Sequence, residues 1–185
     1  MIHILQKESP VLRKKAAEVP RSEIGGAKMR KVLKDMSEAL FSQDDGVALA
    51  APQIGVSLRV FIVSRAALTL PSELKERREL NTRELKRSAG YTVFANPVII
   101  KLSRDKAVLD EGCLSVRPLY GKIKRSKKAT VKAYDEHGKL FERGASGLLA
   151  QIFQHECDHL DGVLFIDKAT DLRELPANQT IVTRP

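Results

Sequence analysis

His155, Glu156 and His159 fall in the run Gln154-His155-Glu156-Cys157-Asp158-His159, at a spacing that suits metal chemistry. On an α-helix, residues four apart lie on one face, about one turn from each other. Two imidazole nitrogens can then converge on a single ion, while Glu156, one step round the helix, reaches the space beside it. This is the H-E-x-x-H arrangement, in which two histidines bind metal and the glutamate moves protons for a bound water. The chain has four histidines, and two of them fall in this one turn. A solvated helix with a chance match is the alternative, and context has to decide between them.

A catalytic ion of this kind takes a third protein ligand and keeps one position open. In the extended pattern H-E-x-x-H-x-x-G-x-x-H the third ligand is a His. Gly162 fits that pattern, but the ligand position holds Phe165, which cannot bind metal. A downstream glutamate is another known source, yet Glu174 is the one candidate and follows too closely. Upstream, Glu111-Gly112-Cys113-Leu114-Ser115 presents a cysteine beside a flexible glycine. A Cys113 thiolate would complete a Cys-His-His set with a position left for water; taken alone, Cys113 reads equally as packing or as ligation. Cys157 faces the other way round the helix and reads as a small buried hydrophobe.

Several elements are expected to position these residues. Ser146 reads as an N-cap and Gly162 as a C-terminal stop for a helix over 147–161, with Leu148, Ile152, His155 and His159 at helical spacing. Residues 28–42 carry Met29, Val32, Leu33, Met36 and Leu40, the pattern of an amphipathic helix. Leu58–Val63 reads as a buried strand. Residues 91–102 read as two β-rich pieces interrupted at Asn96-Pro97, where a strand start, a bulge or an edge is expected. Ala129–Tyr134, the turn Asp135–Gly138 and Lys139–Glu142 read as a hairpin. His137 is expected exposed in that turn, and His3 in a strand. Together these predict an α+β fold, antiparallel β-sheets packed around the central helix that carries H-E-x-x-H.

With 185 residues, 43% hydrophobic and 30% charged, the chain suits one folded domain, residues 1–185. A charged surface excursion is expected at about 64–90 and a short tail after Asp167. No stretch approaches the roughly 20 apolar residues of a membrane span. The N-terminus shows no apolar h-region, so a cytoplasmic protein is expected, with its two cysteines as thiols or metal ligands and not as a disulfide. The net charge of +9 favours acidic contacts such as RNA or a membrane surface.

Three segments occur in order: GVALAAPQIG (Gly46–Gly55), EGCLS (Glu111–Ser115) and QHECDHLDG (Gln154–Gly162). Together they resemble the peptide deformylase family, with the pattern G-x-G-x-A-A-P-Q, then E-G-C-L-S, then Q-H-E-x-D-H. The resemblance implies a hydrolase that removes the N-formyl group from the initiator methionine of nascent chains, releasing formate. It implies that Cys113, His155 and His159 hold one divalent ion, with Fe(II) as the native metal and Zn, Ni or Co as substitutes. Glu156 becomes the general base and acid for a metal-bound hydroxide, and the Gln53 amide with the Leu114 N–H becomes the oxyanion hole.

Leu148, Gln151 and Ile152 lie on the His155 face and, with Val47, Ala48, Leu109 and Gly112, are expected to cradle the methionine and its peptide. Glu111 and Asp158 are expected to orient the ligands, or else to pair with a surface Arg. The chain departs from the family pattern at Ala48, where the second Gly of the first motif belongs. A methyl group there either crowds the peptide or is harmless in a β conformation. The implied partners are N-formyl-methionyl nascent peptides and the ribosome near its exit tunnel, with neither membrane nor DNA. The basic run Lys122–Lys132 reads as a solvated strand face, or alternatively as a contact for ribosomal RNA. Two competing functions are a hydrolase for another N-acylated substrate, motivated by Ala48 and Gln151, and a basic RNA-associated protein with an incidental site.

Overall fold

The computed structural model describes residues 2–68 and 87–174. Most of the charged excursion expected at about 64–90, and the tail beyond Glu174, lie outside the described residues. Two helices of more than three turns are described: α1 (Ala27–Phe41) and α2 (Gly147–Leu160). Eight strands follow the chain: β1 (Ala48–Ala50), β2 (Val60–Ser64), β3 (Tyr91–Leu102), β4 (Lys106–Gly112), β5 (Leu119–Ser126), β6 (Lys128–Tyr134), β7 (Leu140–Ser146) and β8 (Thr170–Glu174). They form a five-stranded sheet, β1-β2-β3-β6-β7, and a three-stranded sheet, β4-β5-β8, antiparallel throughout.

Strand parity explains how the larger sheet is covered on both faces. In β2, Val60 and Ile62 point into a cluster with Met29, Leu33, Met36 and Leu40 of α1. Phe61 and Val63 point the other way, into a cluster with Ala150, Phe153, Cys157 and Leu160 of α2. Every residue of β2 is therefore buried, which is why its sequence is a continuous apolar run. Phe61 stacks on Phe94 at 4.6 Å between centroids, and Phe153 of α2 meets Phe94 edge-on at 5.2 Å. Burying a Phe side chain contributes about 1.5–3 kcal/mol, so this seam fixes α2 on the sheet.

The interruption expected at Asn96-Pro97 is a bulge within one strand. Asn96 has φ +48° and the β3–β6 register shifts between Ala95 and Val98. Its side-chain amide exchanges two 2.8 Å hydrogen bonds with the Val19 backbone, which fills the gap left in the ladder. The β6–β7 hairpin forms as expected, its turn closed by Asp135 Oδ1 accepting from the N–H groups of His137 and Lys139. His3 is a correction. It lies in no described strand, because the backbone there reaches the rest of the fold through the Leu5 N–H to Gln53 carbonyl bond and not through a ladder.

α2 starts and stops close to where the sequence places it. Ser146 takes the N-cap position, although its hydroxyl makes no capping bond. At the other end Gly162 (φ +76°) donates to the His159 carbonyl and Val163 donates to the Asp158 carbonyl. That pair of bonds is the Schellman closure. A Cβ on Gly162 would stand 2.7 Å from the Arg13 carbonyl oxygen, so side chain and φ both require glycine. Part of the tail after Asp167 forms β8, which adds to β5.

Candidate metal centre

The three ligand candidates come from two elements. Cys113 follows the last residue of β4, while His155 and His159 stand one turn apart on α2. Their donor atoms all lie within 4.8 Å of one another, and Cys113 Sγ is 3.1 Å from His159 Nε2. His155 turns Nδ1 to Glu111 Oε1 at 2.7 Å, which leaves Nε2 for the shared centre. The Ser115 backbone N–H and the Gln53 side-chain amide both donate to Cys113 Sγ, at 3.4 and 3.6 Å.

The electrostatics suit a cation. Burial works against charge on His155, but the carboxylate of Glu111 and the sulfur of Cys113 outweigh it and hold the imidazole well above its usual range. His159, buried and facing His155, is pushed well below. Burial would raise Glu111 as well, yet His155 and Arg125 hold it far below the carboxylate range. A thiolate, two imidazoles and a fixed carboxylate behind one of them make a donor set that fits a divalent transition metal with a position left over.

Glu156 stands beside this centre, 4% exposed, with Oε2 buried and engaged by no other group among the described residues. Burial raises its carboxyl to about 7; the charge of His155 opposes the shift and Glu111 adds to it. Gln53 sits in the 3-10 turn Ala51–Ile54 that follows β1. Its Oε1 accepts from the Ala50 N–H at 2.8 Å, which aims Nε2 at Ser115 Oγ (3.1 Å) and Cys113.

One cleft gathers Val47, Ala48, Gln53, Glu111, Gly112, Cys113, Leu114, Leu148, Gln151, Ile152, His155 and Glu156. Leu148 is exposed at its rim and Ile152 is buried within it. Gln151 is held by bonds from Nε2 to the Asp110 carbonyl (3.0 Å) and to Glu111 Oε2 (3.1 Å), so its polar end serves Glu111. Ala48 is buried in the cluster joining β1 to α2, so its methyl group is core. Leu109 is a correction: it pairs with Ile123 across β4–β5, about 7 Å along the strand from Glu111, and does not line the cleft.

Asp158 does not line the cleft either. It pairs with Arg125 and with Lys168, at 2.6 and 2.8 Å. The Arg that meets Glu111 and Asp158 is not a surface residue: Arg125 is 5% exposed. Lys124, Lys127, Lys128 and Lys132 are exposed, as the reading of Lys122–Lys132 as a solvated strand face expects, and Arg125 is the cation of that run that turns inward. In β5, Gly121, Ile123 and Arg125 share the buried parity, so alternation from Ile123 was the signal that could have found it. Gly46 of the first motif also lines the cleft, and Asp45, Asp110, Arg117 and Tyr120, which lie outside the three motifs, complete it. Arg117 pairs with Asp45, and the Tyr120 ring covers Gly112 so closely that a Cβ there would come within 2.2 Å.

Against known proteins, residues 1–174 match the family described as polypeptide deformylase. Peptide deformylase 1A, chloroplastic/mitochondrial, of Arabidopsis thaliana is 41% identical over 89% of this chain, which spans 60% of that protein. A peptide deformylase of Dehalococcoides mccartyi is 40% identical over 89% of this chain and 83% of its own length. The crystal structure of a peptide deformylase from Legionella pneumophila superposes with TM-score 0.75 at 34% identity, covering 92% of this chain and 88% of that one.

Proposed function

The chain belongs to the polypeptide deformylase family and removes the N-formyl group from nascent polypeptides, and we propose how its own residues divide that work. Enzymes of this family depend on a metal, and Cys113, His155 and His159 are the residues that hold it here. Bound there, a divalent ion would supply Lewis acidity and would lower the pKa of water toward neutrality. Glu156 takes a proton from the attacking water and returns it to the departing methionine nitrogen, so the products are formate and a free amine. Its unengaged Oε2 gives the proton a place to rest between the two transfers. Gln53 Nε2 and the Leu114 N–H donate to the tetrahedral oxyanion, each worth ~3 kcal/mol of barrier.

Val47, Leu148 and Ile152 supply the apolar walls for an unbranched methionine side chain. The peptide backbone runs along β1, an edge strand. The Val47 carbonyl already accepts from Ser64 N–H, so alternation turns the N–H and carbonyl of Ala48 toward the cleft. Fe(II) is the proposed native ion; Zn, Ni and Co suit the same donors. Residues 1–185 act as one catalytic domain, in the cytoplasm and near the ribosomal exit tunnel where nascent chains emerge. No described helix is long and apolar enough to cross a membrane.

The observation that carries this reading is the convergence of three donor atoms within 4.8 Å beside a buried glutamate. The test is formate release from a formyl-Met peptide by protein purified anaerobically, with metal content read on the same sample. Turnover that tracks bound metal and disappears with chelator supports it. Turnover that persists after complete metal removal overturns it.

A further inference from the structure

We propose that Arg125 is a positioning residue that registers the strand bearing Cys113 against the helix bearing His155 and His159, so that the protein itself assembles the donor set. The inference rests on the metal reading of those three residues. The donors come from separate parts of the fold: Cys113 follows β4 of the smaller sheet, and α2 follows β7 of the larger one. Arg125, on β5, touches both sides. Its Nε and Nη2 donate to the two oxygens of Glu111, at 3.0 and 2.6 Å, and its Nη1 donates to Asp158 Oδ2 at 2.6 Å.

Each carboxylate adjoins a ligand. Glu111 lies two residues before Cys113 and holds His155 Nδ1, while Asp158 directly precedes His159. One planar guanidinium thus fixes the rotamer of the carboxylate that sets the His155 ring, and fixes it relative to the last turn of α2. The group is 5% exposed and stays charged: burial disfavours the cation, but Glu111 and Asp158 more than offset that. A lysine ammonium is a point charge and cannot present a fork to Glu111 while reaching Asp158.

Other contacts hold the backbone without Arg125. Gln154 Oε1 accepts from the Ser126 N–H and its Nε2 donates to the Ser126 carbonyl, both at 2.9 Å, and the β4–β5 ladder is continuous from Lys106 to Gly112. R125K should therefore fold and lose ring and carboxylate placement specifically. D158N removes the charge at the helix end of the tie, which also weakens the Lys168 pair on the other carboxylate oxygen, and serves as a second variant.

The test is titration of metal-free protein with Co(II), read by the thiolate-to-cobalt charge-transfer band and the visible d–d bands, alongside the melting temperature of the metal-free form. Wild type shows the thiolate band. R125K raises the Co(II) Kd about 10–100-fold and alters the d–d bands, and D158N shifts both in the same direction by less. Cobalt affinity and bands identical to wild type in both variants overturn the inference, whatever happens to the melting temperature. A wild-type protein without the thiolate band overturns the metal reading of Cys113 and the inference with it.

Discussion

Glu111 Oε1 and His155 Nδ1 lie 2.7 Å apart, with both side chains largely buried. That hydrogen bond decides which imidazole nitrogen faces Cys113, and it places a fixed negative charge behind the ligand. A carboxylate in this position sets ring orientation and raises ligand basicity. The same anion also acts on Glu156, the next residue along α2, and so reaches the pH dependence of the reaction.

Burial and the Glu111 charge bring the Glu156 carboxyl to about 7 in the metal-free protein, against the opposing charge of His155. A dication beside it favours the carboxylate, so the working value in the loaded enzyme lies below 7. A general base must be ionised, so kcat/KM falls as pH drops through that value and is flat above it. The pH profile of the metal-loaded enzyme checks this; a profile without an acid limb removes Glu156 as base.

The two thiols differ in reactivity. Cys157 is 6% exposed, and burial, opposed by Arg59 and reinforced by nearby carboxylates, pushes its thiol up to about 12. It stays a neutral thiol at any pH used for alkylation. In metal-free protein, iodoacetamide is expected to modify Cys113 and to leave Cys157 until the chain unfolds. Mass spectrometry of the labelled peptides reads the order directly.

Ala48→Gly tests the departure from the family pattern. The Ala48 methyl packs in the cluster between β1 and α2, so its loss costs about 0.5–1 kcal/mol of stability. Activity on formyl-Met peptides and the choice of acyl group are expected to stay unchanged. A gain in formyl-Met turnover would show that the methyl group crowds the substrate after all.

Gly162→Ala should destabilise the protein without touching the donor set. The new Cβ meets the Arg13 carbonyl at 2.7 Å and the φ of +76° suits only glycine well. A loss of more than about 1 kcal/mol is expected, which lowers the melting temperature by about 2–4 °C per kcal/mol. Thermal unfolding measures it.

What the sequence makes legible follows its local signals. The α2 boundaries were readable because Ser146 and Gly162 act within one turn of the helix, and β2 because a run buried on both faces is apolar throughout. Arg125 was obscured by its neighbours: it is one of five lysines and arginines between Lys122 and Lys128, and its partners are 14 and 33 residues away. Asp45 and Arg117 meet across 72 residues, each lying just outside a motif and forming no pattern of its own. The Leu109 expectation failed because distance along a strand, two residues short of Glu111, decides cleft lining, and parity alone does not supply it.

The most direct measurement is turnover of a formyl-Met peptide by E156A whose metal content has been measured on the same sample. Glu156 contributes no atom to the donor set of Cys113, His155 and His159. The variant is expected to hold one ion per chain while kcat falls by about 10²–10⁴ or more. A fully loaded E156A that turns over like wild type would contradict the assignment of proton transfer to Glu156.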